Sequence, residues 1–215
     1  MNPRLAHALL VSFGAMAAAD LVSLAVGLGA GHALTKPLLM PLLAAHAAAR
    51  GAPRLLVAAL LFGWGGDTLL LFDTDPAFLA GMASFAAGHV CYLALFKGAP
   101  RARGGWLAVA YVIALAITVT LLWPDLPAGL RIPVAAYSLL LTAMAYGATR
   151  LGFLTGVGGA LFMVSDTLIA TSVADWPQLP GPDFWVMLTY VAAQFLLVKG
   201  VLRDGDGVGF RGLTT

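Results

Sequence analysis

Apolar segments of membrane-spanning length recur along the whole chain. A transmembrane helix needs about 20 predominantly apolar residues, and eight segments approach that length. They run near Leu5–Gly27, Thr35–Ala49, Leu55–Phe72, Phe78–Phe96, Trp106–Trp123, Ile132–Thr149, Leu154–Ala174 and Phe184–Leu202. Of the 215 residues, 10% are charged, whereas soluble domains average about 25%. The sequence therefore predicts an all-α, polytopic membrane bundle of about eight transmembrane helices.

The ends of the chain and its second segment give more specific expectations. We expect a single integral membrane domain over residues 1–203 and a flexible cytoplasmic tail over 204–215. The first apolar run also has features of a cleavable signal peptide, but it continues to Ala30 and favours an uncleaved span. In the short second segment, Thr35 is expected to cap the helix, with Pro37 in its first turn. Lys36 would then oppose the helix dipole, which indicates an anionic partner, either an Asp or a phosphate, unless it extends to the interface.

The basic residues predict the orientation. If both termini are cytoplasmic, ten of the twelve Lys and Arg residues lie inside, and Lys36 and Arg131 lie outside. This agrees with the positive-inside rule. We therefore expect an integral protein of a bacterial inner membrane. The net charge of +2 is too small to favour binding to nucleic acid.

Two aspartates lie in matching apolar contexts. Each follows a small residue and precedes Thr-Leu-(Leu/Ile), in the third span at Asp67 and in the seventh at Asp166. A charged side chain inside a membrane costs about 2.5–3.5 kcal/mol on insertion scales, so such residues are commonly functional. Both spans run in the same direction, which suggests two parallel four-helix repeats. The alternative for each Asp is a structural hydrogen bond or a buried ion pair.

Further polar residues lie within the predicted spans. His89 lies near the middle of the fourth span, and Tyr92 shares its helix face. Because a short loop joins this span to the Asp67 span, we expect His89 to lie near Asp67. Tyr190 and Gln194 are one turn apart on the last span and face the same way. Asp20 in the first span has two equal interpretations, a site residue or a polar group at the interface.

Metal and nucleophile chemistry have little support in the sequence. Zinc favours several His or Cys ligands, and His89 is the one histidine well inside a predicted span. We therefore expect no metal and no cofactor. The single cysteine, Cys91, lies in an apolar run, and no Gly-x-Ser-x-Gly elbow occurs.

Several of these pieces, in this order, resemble the YhhN/TMEM86 family of lysoplasmalogenases, which are polytopic membrane proteins. The matching pieces are Lys36-Pro37 with Pro41, Gly66-Asp67, Phe78 with Gly81 and Phe85, His89 with Tyr92, Gly159 to Asp166, and Tyr190 with Gln194. The resemblance implies a membrane hydrolase that cleaves the vinyl ether bond of lysoplasmalogens. The products would be a fatty aldehyde and a glycerophospho-ethanolamine or -choline.

The implied chemistry suits a pair of carboxyl groups. Protonation of a vinyl ether at its β-carbon gives an oxocarbenium ion, which requires one protonated acid, one carboxylate and a positioned water. We expect catalytic roles for Asp67, Asp166 and His89, without deciding which Asp is the acid. We expect substrate-binding roles for four other residues, Lys36, Tyr92, Tyr190 and Gln194. The alternative function is a proton-coupled or lipid carrier that uses the same Asp pair, and the oligomeric state stays open.

Overall fold

The computed structural model describes residues 3–99 and 105–207. This part of the chain forms eight α-helices and no strand. The helices are α1 Pro3–Ala25, α2 Gly29–Ala49, α3 Arg54–Leu69, α4 Asp75–Phe96, α5 Gly105–Leu122, α6 Arg131–Ala148, α7 Phe153–Val173 and α8 Pro182–Gly207. A short 3₁₀ helix, Thr149–Leu151, joins α6 to α7. Helix α8 continues to Gly207, and most of the predicted tail lies outside the described residues, as do the basic residues Arg101, Arg103 and Arg211.

Six of the eight described helices are long and apolar enough to cross a membrane, namely α1 and α4 to α8. Helix α3 has 16 residues and is about 24 Å long at 1.5 Å per residue, which is shorter than a typical hydrocarbon core. Helix α2 has 21 residues, but Lys36, His32 and His46 make it more polar. The chain is therefore an all-helical membrane protein, and the count of eight spans stays a prediction.

Consecutive helices pack as pairs, and the pairs close into one bundle. The most extensive contacts join α1 with α2, α3 with α4, and α7 with α8, while α6 contacts both α4 and α7. The last helix, α8, also contacts the first, α1, and this contact closes the bundle. Short connections make these neighbours antiparallel. As a result α1, α3 and α7 end where α2, α4, α6 and α8 begin, and we call this the α3 end of the bundle.

Glycines let several of these helices approach closely, as is common in membrane bundles. A Cβ atom added at Gly159 on α7 would lie 2.9 Å from Cα of Ala145 on α6. A Cβ atom added at Gly66 would meet the ring of Phe85 on α4. Helices α3 and α7, which carry the two matched aspartates, therefore pack closely against α4 and α6 at these glycines.

The expected start of the second helix is wrong. Helix α2 begins at Gly29, six residues before Thr35, and Pro37 and Pro41 lie inside it. The positive φ of 72° at Gly27 allows the tight turn from α1, and membrane helices tolerate internal proline. Thr35 does not cap the helix, because it lies inside α2 and not at its start. Lys36 is two turns inside α2, where the dipole argument no longer applies.

Candidate active site

Asp67 ends a chain of buried hydrogen bonds that joins three helices. Its carboxyl group is 2% exposed, near the end of α3. The hydroxyl of Tyr190 on α8 donates to Asp67 Oδ2 at 2.8 Å. Gln194 Nε2, one turn further along α8, lies 3.4 Å from the Tyr190 hydroxyl, and Tyr92 on α4 donates to Gln194 Oε1 at 2.6 Å. This chain satisfies four polar side chains that would otherwise be costly to bury.

Asp166 has a different set of partners, on α4 and α6. The hydroxyl of Tyr137 on α6 donates a short hydrogen bond to Asp166 Oδ2. His89 Nε2 on α4 lies 3.0 Å from the same hydroxyl and 4.0 Å from Asp166 Oδ2. His89 Nδ1 is buried and has no hydrogen-bond partner in the described part of the chain. Because the Asp166 side chain is 12% exposed, its carboxyl group is more accessible than that of Asp67.

Aromatic rings lie between the two carboxyl groups. Phe162 on α7 packs edge-on against Tyr190, with ring centroids 5.5 Å apart, and against His89 at 4.8 Å. Phe85 on α4 packs against both Phe162 and Tyr190. Among the described residues, no hydrogen bond joins the Asp67 group to the Asp166 group, and these rings fill the space between them. The low polarity of this layer strengthens the interaction between the two carboxyl groups.

A cavity of about 70 Å³ opens onto Asp166 and Tyr137. This volume admits a few water molecules. The other polar groups at its wall are Thr118, Ser138, Thr142 and Thr167. Its remaining wall is apolar and comes from α4 to α7 and from Leu70, and includes Phe78, Met82, Phe85, Leu115, Val134 and Met163. Asp166 therefore faces a pocket that combines an apolar wall with room for water, and Asp67 lies behind that wall.

The structure groups the predicted site residues in a way that the sequence did not indicate. Asp67 lies with Tyr190, Gln194 and Tyr92, whereas His89 bonds into the Asp166 group and not to Asp67. Lys36 on α2 is partly buried, and α2 packs against α3, the helix of Asp67. In the described residues, no three His, Cys, Asp or Glu side chains are close enough together to hold a metal ion.

Tyr137 is the residue that sequence reasoning missed. It links His89 to Asp166 and lines the cavity. The available signal was its position, more than one turn inside a predicted span, where a phenol hydroxyl needs a hydrogen-bond partner. The sequence alone does not indicate which helix supplies that partner.

The chain resembles curated membrane proteins from mammals and bacteria. It is 35% identical to human lysoplasmalogenase TMEM86B over 154 residues, which cover 72% of this chain and 66% of the human protein. The pig protein of the same name is 38% identical, over 69% of this chain and 64% of its own length. The chain thus spans just under two thirds of these mammalian relatives.

A bacterial relative is covered further. The lysoplasmalogenase of Mycobacterium bovis is 34% identical over 189 residues, which cover 79% of this chain and 71% of that protein. No solved structure matches the chain. The profile of the YhhN family matches residues 31–201, a range that includes every predicted site residue from Lys36 to Gln194. This chain therefore belongs to the YhhN family.

Proposed function

We propose that this protein is a membrane hydrolase that cleaves the vinyl ether bond of lysoplasmalogens to a fatty aldehyde and a glycerophospho-ethanolamine or -choline. The names of its relatives supply the substrate class. The observation that carries the proposal is that Asp166 lines a cavity with an apolar wall. A second carboxyl group, Asp67, accepts a hydrogen bond from Tyr190, whose ring packs on Phe85 of that wall.

The cavity supports a division of labour between the two carboxyl groups. Asp166 lines the pocket, so it is the group that reaches the alkenyl chain and donates a proton to the β-carbon of the vinyl ether. Proton transfer converts the carbon–carbon double bond into an oxocarbenium ion. The negative charge of Asp67 then stabilises this cation across the Phe85–Phe162 rings.

Water completes the reaction. A water molecule in the cavity adds to the carbon that is bonded to the ether oxygen and gives a hemiacetal. The hemiacetal loses the glycerol oxygen as an alcohol and leaves the aldehyde, and the proton released by the water restores the acid. Tyr137 and His89 hold the Asp166 carboxyl group in place. None of these steps requires a covalent acyl-enzyme intermediate.

The environments of the two carboxyl groups support a parallel repeat as part of this proposal. Asp67 on α3 accepts a hydrogen bond from Tyr190 on α8, and α2, which carries Lys36, packs against α3. Asp166 on α7 has its partners on α4 and α6. The first four helices can be matched one by one to the last four. Each Asp then has a polar residue, Lys36 or Tyr137, on the second helix of its own half, and another, Tyr190 or His89, on the fourth helix of the other half. A parallel repeat places its site at this kind of interface.

Aldehyde release by the purified protein tests the function. The protein is incubated in D₂O with a lysoplasmalogen, and the aldehyde is analysed by mass spectrometry. Protonation at carbon predicts one solvent deuteron at the aldehyde α-carbon, after correction with unlabelled aldehyde incubated in the same mixture. An unlabelled aldehyde would contradict the mechanism. The absence of any aldehyde would favour the alternative of a carrier, which makes no product.

A further inference from the structure

Another group of polar side chains lies where α1 contacts α2, and the proposed chemistry does not use it. Asp20 on α1 is fully buried, so its side chain faces other protein groups and not lipid or water. Its Oδ1 accepts hydrogen bonds from Thr35 Oγ1 at 2.6 Å and from His32 Nδ1 at 2.9 Å. Its Oδ2 is buried and has no hydrogen-bond partner in the described residues. We call Asp20, His32, Thr35 and Lys36 the α1–α2 polar cluster.

Asp20 fixes the orientation of the His32 ring. An ionised carboxyl group only accepts hydrogen bonds, so the ring proton that faces Asp20 is carried by Nδ1. Nε2 then lies on the opposite edge of the ring, where it has no hydrogen-bond partner among the described residues. The His32 side chain is 16% exposed, so a ligand can reach it.

Lys36 adds a second basic side chain to the α1–α2 polar cluster. It lies one helical turn after His32, so the two side chains share a face of α2. Helix α2, which carries both side chains, packs against α3, which carries Asp67, and the cluster is therefore on a helix next to the candidate active site. Because α1 ends at Ala25 and α2 begins at Gly29, the cluster lies at the α3 end of the bundle, near Asp67. The end of a membrane bundle is where a polar lipid headgroup is found.

Given the proposed function, we infer that the α1–α2 polar cluster binds the phosphate of the lysophospholipid substrate. His32 Nε2 and Lys36 Nζ donate to phosphate oxygens, as charge-assisted hydrogen bonds. Asp20 and Thr35 are positioning residues that hold the ring of His32. In a lysoplasmalogen the glycerol unit separates the phosphate from the vinyl ether.

Binding without turnover tests this assignment. The full chain is purified in detergent micelles and titrated with a saturated 1-alkyl lysophosphoethanolamine and with the 1-alkylglycerol of the same chain length. Neither lipid has a vinyl ether, so hydrolysis does not interfere. The variants are His32→Gln, Lys36→Gln and Asp20→Asn. The control is His7→Gln, because His7 is exposed on α1 and lies outside the cluster.

The expected result is a change in lipid selectivity. The wild-type protein binds the phospholipid more tightly than the alkylglycerol, and His32→Gln and Lys36→Gln each reduce this preference by about 10-fold to 100-fold, the range for a hydrogen bond to a charged group. Asp20→Asn keeps an oxygen for Thr35 but removes the charge opposite His32, so the preference falls in the same direction. His7→Gln keeps the wild-type preference.

Two outcomes would overturn the inference. One is equal affinity of the wild-type protein for the two lipids. The other is an unchanged preference in both His32→Gln and Lys36→Gln, which are substitutions at partly exposed positions. Because these titrations need no catalysis, the aldehyde assay separates a failure of the proposed function from a failure of this site.

Discussion

At the scale of single residues, each matched carboxyl group is held by a tyrosine from another helix. Tyr190 donates to Asp67, and Tyr137 donates to Asp166. A donated hydrogen bond fixes the orientation of a carboxyl group, and a phenol donates it without adding a charge. The two carboxyl groups differ in their access to the cavity, so their replacement should differ in effect.

Replacing the carboxyl groups tests their roles. Asn keeps the shape of Asp but can neither deliver a proton nor carry a charge. We expect Asp166→Asn to lower kcat by about 10²-fold to 10⁴-fold, the usual contribution of a general acid. Asp67→Asn should also lower kcat, while any aldehyde still formed in D₂O keeps its single deuteron. Asp73→Asn, in the exposed α3–α4 loop, is the matched control, and a loss of activity there would show a nonspecific effect of removing a carboxyl group.

Tyr137→Phe tests the link between His89 and Asp166. The ring and its packing stay, but Asp166 loses its donor and His89 Nε2 loses a partner. We expect kcat to fall by about 10-fold to 100-fold, with a smaller change in KM, because the loss of one hydrogen bond to a charged group is worth about 1.5–3 kcal/mol. Tyr111→Phe on α5 serves as the control, since its ring packs on Tyr146. Equal kcat values for Tyr137→Phe and wild type would remove Tyr137 from the site.

The sequence identified the polar side chains of the site better than their partners. Asp67, Asp166 and His89 stand out because ionisable groups are rare in apolar spans. The spacing of Tyr190 and Gln194 correctly predicted that they share a face, and they lie 3.4 Å apart at their polar atoms. Helical spacing does not specify which helices meet, and this is why His89 was expected beside Asp67 and Tyr137 was missed.

At the scale of helices, the main error of the sequence analysis was the start of α2. Apolar length predicted a span from Thr35, whereas the helix begins at Gly29. The intervening turn and a half contains glycines and His32, which lower its hydropathy. Asp20 compensates by bonding both His32 and Thr35 from the neighbouring helix. A tertiary partner therefore extends a helix that local composition would end, and such a partner is not visible in a single segment.

The close contact of α6 with α7 gives a prediction for stability. In Gly159→Ala the new methyl group would lie 2.9 Å from Cα of Ala145, and backbone cannot move aside as a flexible side chain can. We expect a loss of about 1–3 kcal/mol, typical of overpacking, measured as a lower Tm in detergent. Gly14→Ala on α1 meets nothing within 4 Å and should keep the wild-type Tm. A Gly159→Ala protein as stable as wild type would contradict the close packing.

At the scale of the whole molecule, the predicted orientation in the membrane depends on whether α3 crosses it. Its 16 residues are fewer than those of the six candidate spans, but the basic residues predict that it crosses. We expect reporter fusions after Gly51 and after Asp73, which flank α3, to report opposite sides, with Gly51 in the cytoplasm. Fusions after Asp73 and Gly98 flank α4, a candidate span, and serve as the positive control. If the pair around α3 reports one side, the eight-span arrangement is wrong.

Helix α5 is the part of the bundle with the least protein around it. Among its described residues only Leu122 is buried, yet Leu115 and Thr118 form one wall of the cavity beside Asp166. A lipid that passes this wall arrives from within the bilayer and not from water. Its effective concentration is then its mole fraction among the surrounding lipids. The rate of turnover would fall as the mole fraction of substrate in the membrane falls. Adding inert lipid would therefore slow turnover even when the total amount of substrate is constant.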